Sequence, residues 1–461
     1  PAFKIVRRQP AETSSWFNFG ASESSFTDGP IATPITYTEL KDDFAWDRVY
    51  DQAKYGQKTE NDSLGFNLEW IARDNLAFAL DWHSSTAEIG KASPYGTNAL
   101  LSAPAFHRGT STVDLSQDFP VLTVALPGGV MDPSTVLTGG FSFRDSYMKS
   151  EIDQLDLSGV FDFGEAQSLD FGLTFTEVNN RTAFGKNEDP AWGGVGSPDD
   201  YPDDLFQIRD ISSAFDAIPG HNNPNLTDEM FIWDFDRMIP IASAARNQYL
   251  GAPDAFTDDR RVKEETTSAY VQWLGNFDLG SMNANFRAGL RYEETEVNSS
   301  ALVPIATDIK WVSTNEYAIV ESDPDFTQLD GKYDYWLPNL DFNIELRDDM
   351  ILRASYSKTI GRPTWQHIQG GQTLASVRIN GGTGSAGDPA LLPLESKNYD
   401  ISFEWYYGEG SYASVGYFYK DVKNYVGVTT VQQTPFNLPH PAQGAWYDEA
   451  NAATGGIDDL Q

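Results

Sequence analysis

LDFNIELRDDMILRASYSK, residues Leu340 to Lys358, is the stretch on which the reading of this chain turns. Leu340, Phe342, Ile344 and Leu346 alternate with Asp341, Asn343 and Glu345. After Arg347-Asp348-Asp349, Met350, Leu352, Ala354 and Tyr356 alternate with Ile351, Arg353, Ser355 and Ser357. Successive side chains leave a strand on opposite faces, so a period of two over this length means β-strands, and the short charged gap joins them as a hairpin. One face is apolar and the other polar. A soluble sheet turns its apolar face to a core; a membrane barrel turns it to lipid.

Four more hairpins share the design. Leu64, Phe66, Leu68 and Trp70 lead through Arg73-Asp74-Asn75 to Leu76, Phe78, Leu80 and Trp82. Leu155, Leu157, Phe161 and Phe163 precede Gly164-Glu165-Ala166, and Leu169, Phe171, Leu173 and Phe175 follow. Tyr270 to Phe277 and Met282 to Leu290 flank Asp278-Leu279-Gly280, and Tyr399 to Trp405 and Ala413 to Tyr419 flank Gly408-Glu409-Gly410. The links between hairpins, 84–151, 177–268, 294–338 and 358–398, are rich in Gly, Pro, Asp, Asn and Ser. Compact domains join most elements with about 4–6 residues. Gly139 to Met148 reads as a further strand hidden in the first link. Short turns alternating with long loops predict an all-β, transmembrane antiparallel β-barrel with periplasmic turns and extracellular loops.

Aromatic placement points the same way. Trp70, Trp82, Trp405, Tyr292, Tyr356 and Tyr419 fall near strand ends on the apolar face, where interfacial girdles belong. Asn67, Glu69, Asp81, Asp156, Asp170, Asn285, Arg287, Arg291, Arg353, Asp400 and Glu404 occupy the other face. Together with the loop asymmetry, this assigns the apolar face to lipid.

The 461 residues suffice for several soluble domains or one large barrel. No run of 18 apolar residues occurs, which excludes a helical membrane span and leaves a barrel open, as does a mean hydropathy of −0.42. With 67 acidic against 32 basic residues the net charge is −35, so nucleic acid is not an expected partner. The absence of cysteine fits an extracytoplasmic protein, though cytosolic chains also lack it. No signal peptide opens the chain at Pro1, so any such segment is expected to have been removed.

Two stretches resemble the TonB-dependent receptors of the Gram-negative outer membrane, in particular the large group common in Caulobacter-like, Xanthomonas-like and marine proteobacteria. YWLPNLDFNIELRDDMILRASYSKTIGRPT, Tyr335 to Thr364, is similar to the family's leucine-proline strand, hairpin and arginine-proline element. GDPALLPLESKNYDISFEWYYGEGSYASVGYFYKDVKNYV, Gly387 to Val426, looks like its stretch of NYD, EWY and FYKD, with Asp388 where asparagine is usual. ETTSAYVQW at Glu265–Trp273 and FRAGLRYEETEV at Phe286–Val297 match the preceding strands. The resemblance runs from about Leu64 to Val426. It implies a barrel of about 22 strands enclosing an N-terminal plug. Five hairpins supply fewer strands, no plug-like segment or TonB box precedes Leu64, and Tyr447 to Gln461 lacks a closing aromatic strand. Residues 1–461 are therefore expected to form a partial β-barrel domain.

Enzyme motifs are missing: there is no GxSxG, HExxH, Walker loop or CxxC, so no activity as an enzyme is expected. Five scattered histidines, His83, His107, His221, His367 and His440, do not suggest a metal centre. GGTGSAG at Gly381–Gly387 lacks the lysine of a phosphate loop, and DPDFTQLDG at Asp323–Gly331 lacks calcium-loop spacing. No cofactor is expected; the pairs Asp199-Asp200 and Asp203-Asp204 leave loose calcium binding open, against the plainer reading of a solvated loop.

The link Glu177–Glu264 carries Trp192, Tyr201, Phe206, Phe231, Trp233, Phe235 and Tyr249 in polar, Gly- and Pro-rich surroundings. Aromatic faces beside carboxylates and amides suit sugar rings, so Trp192, Tyr201, Phe231 and Trp233 are candidate ligand contacts, unless the rings build the loop's own core. Lumen-facing Arg287, Arg291 and Arg353 are candidates for an anionic ligand, or else partners of wall carboxylates. The resemblance implies active uptake of a scarce nutrient, powered by the TonB–ExbB–ExbD complex through a plug; the aromatic, acidic loop without a histidine or cysteine cluster points to an oligosaccharide or other glycan breakdown product as that nutrient. Lipid bilayer, lipopolysaccharide and a surface lipoprotein or other outer-membrane protein are the further partners implied. A siderophore receptor, a passive porin-like channel and a soluble carbohydrate-binding protein are the alternatives.

Overall fold

Period-two segments cannot satisfy their backbone groups alone, and each strand here finds its neighbour along the chain. The computed structural model describes residues 2–8, 11–14, 23–28, 30–164, 166–189, 191, 193–280, 282–313, 316–323, 325–378, 381–427, 432–438, 440 and 443–454. Its main sheet comprises β1 (Ala2–Arg8), β2 (Ala11–Ser14), β3 (Trp46–Arg73), β4 (Leu76–Lys91), β5 (Asn98–Arg108), β6 (Phe141–Asp162) and β7 (Gln167–Asp189). It continues with β8 (Asp258–Leu279), β9 (Met282–Val303), β10 (Asp325–Arg347), β11 (Met350–Gly361), β12 (Leu394–Gly408) and β13 (Ser411–Lys423). The hydrogen-bonded path is β1-β3-β4-β6-β7-β8-β9-β10-β11-β12-β13, and every pair is antiparallel.

Two strands off this path are continuations. Arg8 pairs Tyr55 and Ala11 pairs Gln52, so β1 and β2 share one register along β3. In the same way β5 takes over from β4 between β3 and β6, after residues 92–97 loop out of the ladder. Gly96 makes that excursion possible. Its φ is +94°, and a Cβ there would lie 2.3 Å from the Arg144 carbonyl oxygen.

All five predicted turns join neighbouring antiparallel strands, so they share one rim and every long connection rises from the other. The strands are longer than the sequence suggested. β3 has 28 residues, against the roughly 9–11 that cross a bilayer. Gly139 to Met148 is not a separate strand: β6 begins at Phe141 and runs unbroken through Met148 to Asp162. The β1–β2 pairing was not expected either. Above the membrane neither face need be apolar, so the alternation that betrays a strand fades there.

The two faces differ as predicted. In register order, Leu68, Leu80, Leu157, Leu173, Ala269, Tyr292 and Trp336 cross seven strands on one face. A second rung runs Leu76, Phe161, Leu169, Trp273, Ala288, Leu340, Tyr356, Tyr399 and Tyr419. Phe66, Leu68, Leu173, Ile401 and Val415 are exposed, while Phe171, Phe342, Leu352 and Phe403 are half-buried. Ile344 is covered, at 8% exposure, but belongs to no core cluster. Near the turns Trp70 stacks on Phe78 and Phe161 on Phe163; toward the loops the Tyr292 and Trp336 rings lie 4.9 Å apart. These are two aromatic girdles bounding a lipid-facing band.

The opposite face carries a hydrogen-bonded polar ladder. Asn67 donates to Asp81 at 3.2 Å, Thr174 to Asp156 at 2.6 Å and Asn343 to Asn285 at 2.8 Å. Polar groups facing a water-filled lumen meet no desolvation cost, so at the level of this ladder the face needs no core. Among the described residues the sheet is open, with β1–β2 at one edge and β13 at the other.

Candidate ligand-binding site at the loop rim

The longest connection, 190–257, folds because the lipid-facing ribbon face of β3 and β6 does not stop at the membrane. No register shift separates Phe66 from Tyr50 on β3, or Leu155 from Phe143 on β6, so Tyr50, Phe141 and Phe143 continue that face upward. Without lipid, protein must cover them. The hairpin of Phe206–Asp210 and Glu229–Trp233 and the helix α1 (Phe235–Arg246) do so. Asp234 caps α1 by accepting from Asp236 and Arg237, and Asn247 ends it at φ +48°. Tyr50, Leu101, Ala103, Phe141, Phe143, Phe231, Trp233, Phe235 and Met238 are among the residues of one buried cluster.

Three of the four candidate aromatics lie in that cluster. Tyr201 is 2% exposed; its hydroxyl lies 2.6 Å from that of Thr138 and donates to the Val195 carbonyl. Phe231, 1% exposed, meets Tyr50 edge-on at 5.1 Å between centroids. Trp233 is 5% exposed; its backbone is bracketed by the Gln52 amide, which donates to its carbonyl at 2.7 Å and accepts from its N–H at 3.1 Å. Tyr201, Phe231 and Trp233 thus belong to the loop's own core, where burial leaves no ring face open to a sugar. Trp192 lies outside the described residues.

The cluster also encloses charge. Arg48 donates through Nη2 to the Glu229 carbonyl at 2.7 Å and lies 5.3 Å from the Tyr50 ring. His107 shares hydrogen bonds with the Tyr50 hydroxyl at 3.3 Å and the Thr135 hydroxyl at 3.2 Å. Burial, reinforced by the Arg48 cation, lowers the His107 pKa to about 4. Burial likewise raises Tyr50 to about 12, against the pull of Arg48.

The lumen arginines divide. Arg291 pairs with Glu293 at 3.1 Å. Arg353 grips Glu404 at 3.0 Å and donates to Asn343 at 3.1 Å. Both are engaged by the wall. Arg287 is exposed opposite Asp341, and no hydrogen bond or ion pair engages it among the described residues. Arg362 was not singled out from sequence, although it opens the arginine-proline element. It donates to Glu293 and to Thr266, tying the short helix α2 (Trp365–Ile368) to the lumen wall. Ile368 then packs with Val262, Val297, Tyr333 and Tyr335. Burial beneath this segment raises the pKa of Glu264, partly offset by Arg362.

Of the acidic pairs, Asp200 accepts from the Ser197 N–H in a capping box, and Asp204 pairs with Arg237 at 3.1 Å. Among the described residues no group of three His, Asp or Glu side chains is placed to hold a metal ion. Tyr249, another of the aromatics noted in this link, lies on the surface, 60% exposed.

A two-faced antiparallel wall with aromatic girdles, short turns and tall loops defines an outer-membrane β-barrel. The family model for TonB dependent receptor-like β-barrels matches residues 7–452, and the chain belongs to that family, whose members are Gram-negative outer-membrane transporters. Solved structures similar to it include the ferric-catecholate import receptor Fiu of Escherichia coli K12, at 10% identity over 91% of this chain and 58% of that one, with TM-score 0.33. The ferric yersiniabactin uptake receptor FyuA of Yersinia pestis matches at 8% over 91% and 50%, with TM-score 0.32. The siderophore receptor PiuA of Acinetobacter baumannii matches at 12% over 90% and 56%, with TM-score 0.28. The chain spans about half the length of these receptors. No curated protein matches it.

Proposed function

We propose that this chain forms the wall of an active transporter for a scarce nutrient, an oligosaccharide or other glycan breakdown product. Energy comes from the TonB–ExbB–ExbD complex acting on a plug within the barrel. The observation that carries this reading is the height of the wall. Strands of 22 to 28 residues rise well past the girdle and bear loops with their own core, whereas a passive pore needs only about 9–11 residues per strand. The lumen ladder sets amides and hydroxyls beside the carboxylates of Asp81 and Asp156, donors and acceptors that suit a hydroxyl-rich cargo. Lipid and lipopolysaccharide cover the apolar band, and a surface lipoprotein or other outer-membrane protein docks over the loops.

The test is uptake by cells producing the full-length receptor, with and without functional TonB. Fluorescent neutral oligosaccharides should enter only when TonB is present. Entry without TonB identifies a passive channel, and TonB-dependent entry of ferric chelates alone replaces the saccharide by a siderophore.

A further inference from the structure

The exposed ring of Tyr249 is held in place by the segment that carries it. Its neighbour Leu250 is buried in the loop core, so the segment cannot swing freely. Asn187 donates to the carbonyls of Tyr249 at 3.0 Å and Gly251 at 3.3 Å, Ser243 donates to that of Gln248, and the Ala252 N–H reaches the Pro94 carbonyl at 3.3 Å. These bonds fix the backbone on both sides of the ring. Gly251 does the rest. A Cβ at that position would lie 2.3 Å from the Tyr249 hydroxyl oxygen and 2.5 Å from Cζ, so the ring lies in the space a side chain would fill. The φ of Gly251 is not positive, so the glycine is there for room and not for backbone freedom.

The ring borders a cleft of about 340 Å3 whose other walls include Lys186, Gln248 and Asp254. The Lys186 ammonium is ion-paired with Glu188, so the cleft offers an anionic chelate no unspent cation from that residue. What it offers is one flat apolar face ringed by an amide, a carboxylate and an ammonium. Those are the groups that stack on one face of a sugar ring and bond its equatorial hydroxyls at the edge.

We propose that Tyr249, seated on Gly251, is the extracellular stacking platform for a neutral pyranose of the transported glycan, a site that rests on the saccharide reading above. Binding of neutral malto-, cello-, manno-, xylo- and galacto-oligosaccharides to the detergent-solubilised full-length receptor, followed by calorimetry, tests it. Tyr249→Ala should weaken the best oligosaccharide about fivefold or more, and Tyr249→Phe should stay within about twofold, because the ring face is kept. Gly251→Ala, which displaces the ring and leaves the backbone in place, should match Tyr249→Ala. Wild-type affinity in both alanine variants overturns the platform and leaves the saccharide receptor standing. A loss in Tyr249→Phe equal to that in Tyr249→Ala also overturns it, since the contact would then run through the hydroxyl. Failure of the wild-type receptor to bind any of these oligosaccharides overturns the saccharide reading and the platform together.

Discussion

His107 shows how much a single position depends on what is folded over it. On sequence it is one of five scattered histidines. In the structure it is buried beneath Thr135 and Phe231 and beside Arg48, with Tyr50 and Asp132 as its other polar neighbours, and its pKa falls to about 4. The folded state therefore holds it neutral, while the unfolded chain takes up a proton near pH 6.5. Between those values the unfolded state binds more protons. The contribution of His107 to stability is complete above about pH 6.5 and is lost as pH falls toward 4, to a limit of about 3 kcal/mol. Protease resistance of the 190–257 loop should fall over that range in the wild type, and His107→Gln should flatten the fall. An equal fall in the variant would assign the effect to other groups. The aromatics teach the same lesson. Phe231 and Tyr249 are alike as sequence, yet one is core and the other surface, and the difference is set by Tyr50 and Leu101, far away in the chain.

Among elements, the short helix α2 is the one whose position rests on a few polar contacts. Arg362 bridges it to Glu293, whose side chain is 8% exposed, while that of Arg362 remains 42% exposed. Arg291 supports the same carboxylate, so removing Arg362 does not strand a buried charge. Arg362→Gln should cost about 1–2 kcal/mol of local stability. Amide exchange over residues 362–371 should speed up by about tenfold, with little change in β8 and β9. Unchanged exchange would mean that Ile368 packing and the hydrogen bonds of Gln369 to Thr182 and of Gly370 to Ser299 and Arg260 hold the segment without Arg362. Hairpin positions were legible because one face had to be apolar over the membrane. Strand lengths were not: β7 climbs on through Asn179, Asn180, Arg181 and Thr182, where both faces are polar and no alternation marks the strand.

For the whole molecule, the consequence of the topology is a strict division of the two rims. The chain has no cysteine, so single cysteines report sidedness directly. In intact cells, a membrane-impermeant maleimide should label Asp254→Cys and His221→Cys on the loop rim. Asp74→Cys, Asp348→Cys and Glu409→Cys, at the turns, should react only after the outer membrane is opened. Labelling of any turn in intact cells would break the orientation.

Sequence alone determined the hairpins, the two unlike faces and the barrel class, because lipid on one side and water on the other force a period of two that local order displays. It also placed the candidate arginines on the lumen face. Tertiary structure decided which groups remain free to meet a ligand. Tyr201, Phe231 and Trp233 are spent on covering the lipid-phase face where it rises beyond the bilayer, and Arg291 and Arg353 are spent on Glu293 and Glu404. Tyr249 and Arg287 stay exposed. Burial and pairing are set by neighbours far off in the chain, 181 residues away for Gln52 and Trp233, and the spacing of residues in one segment carries no trace of them.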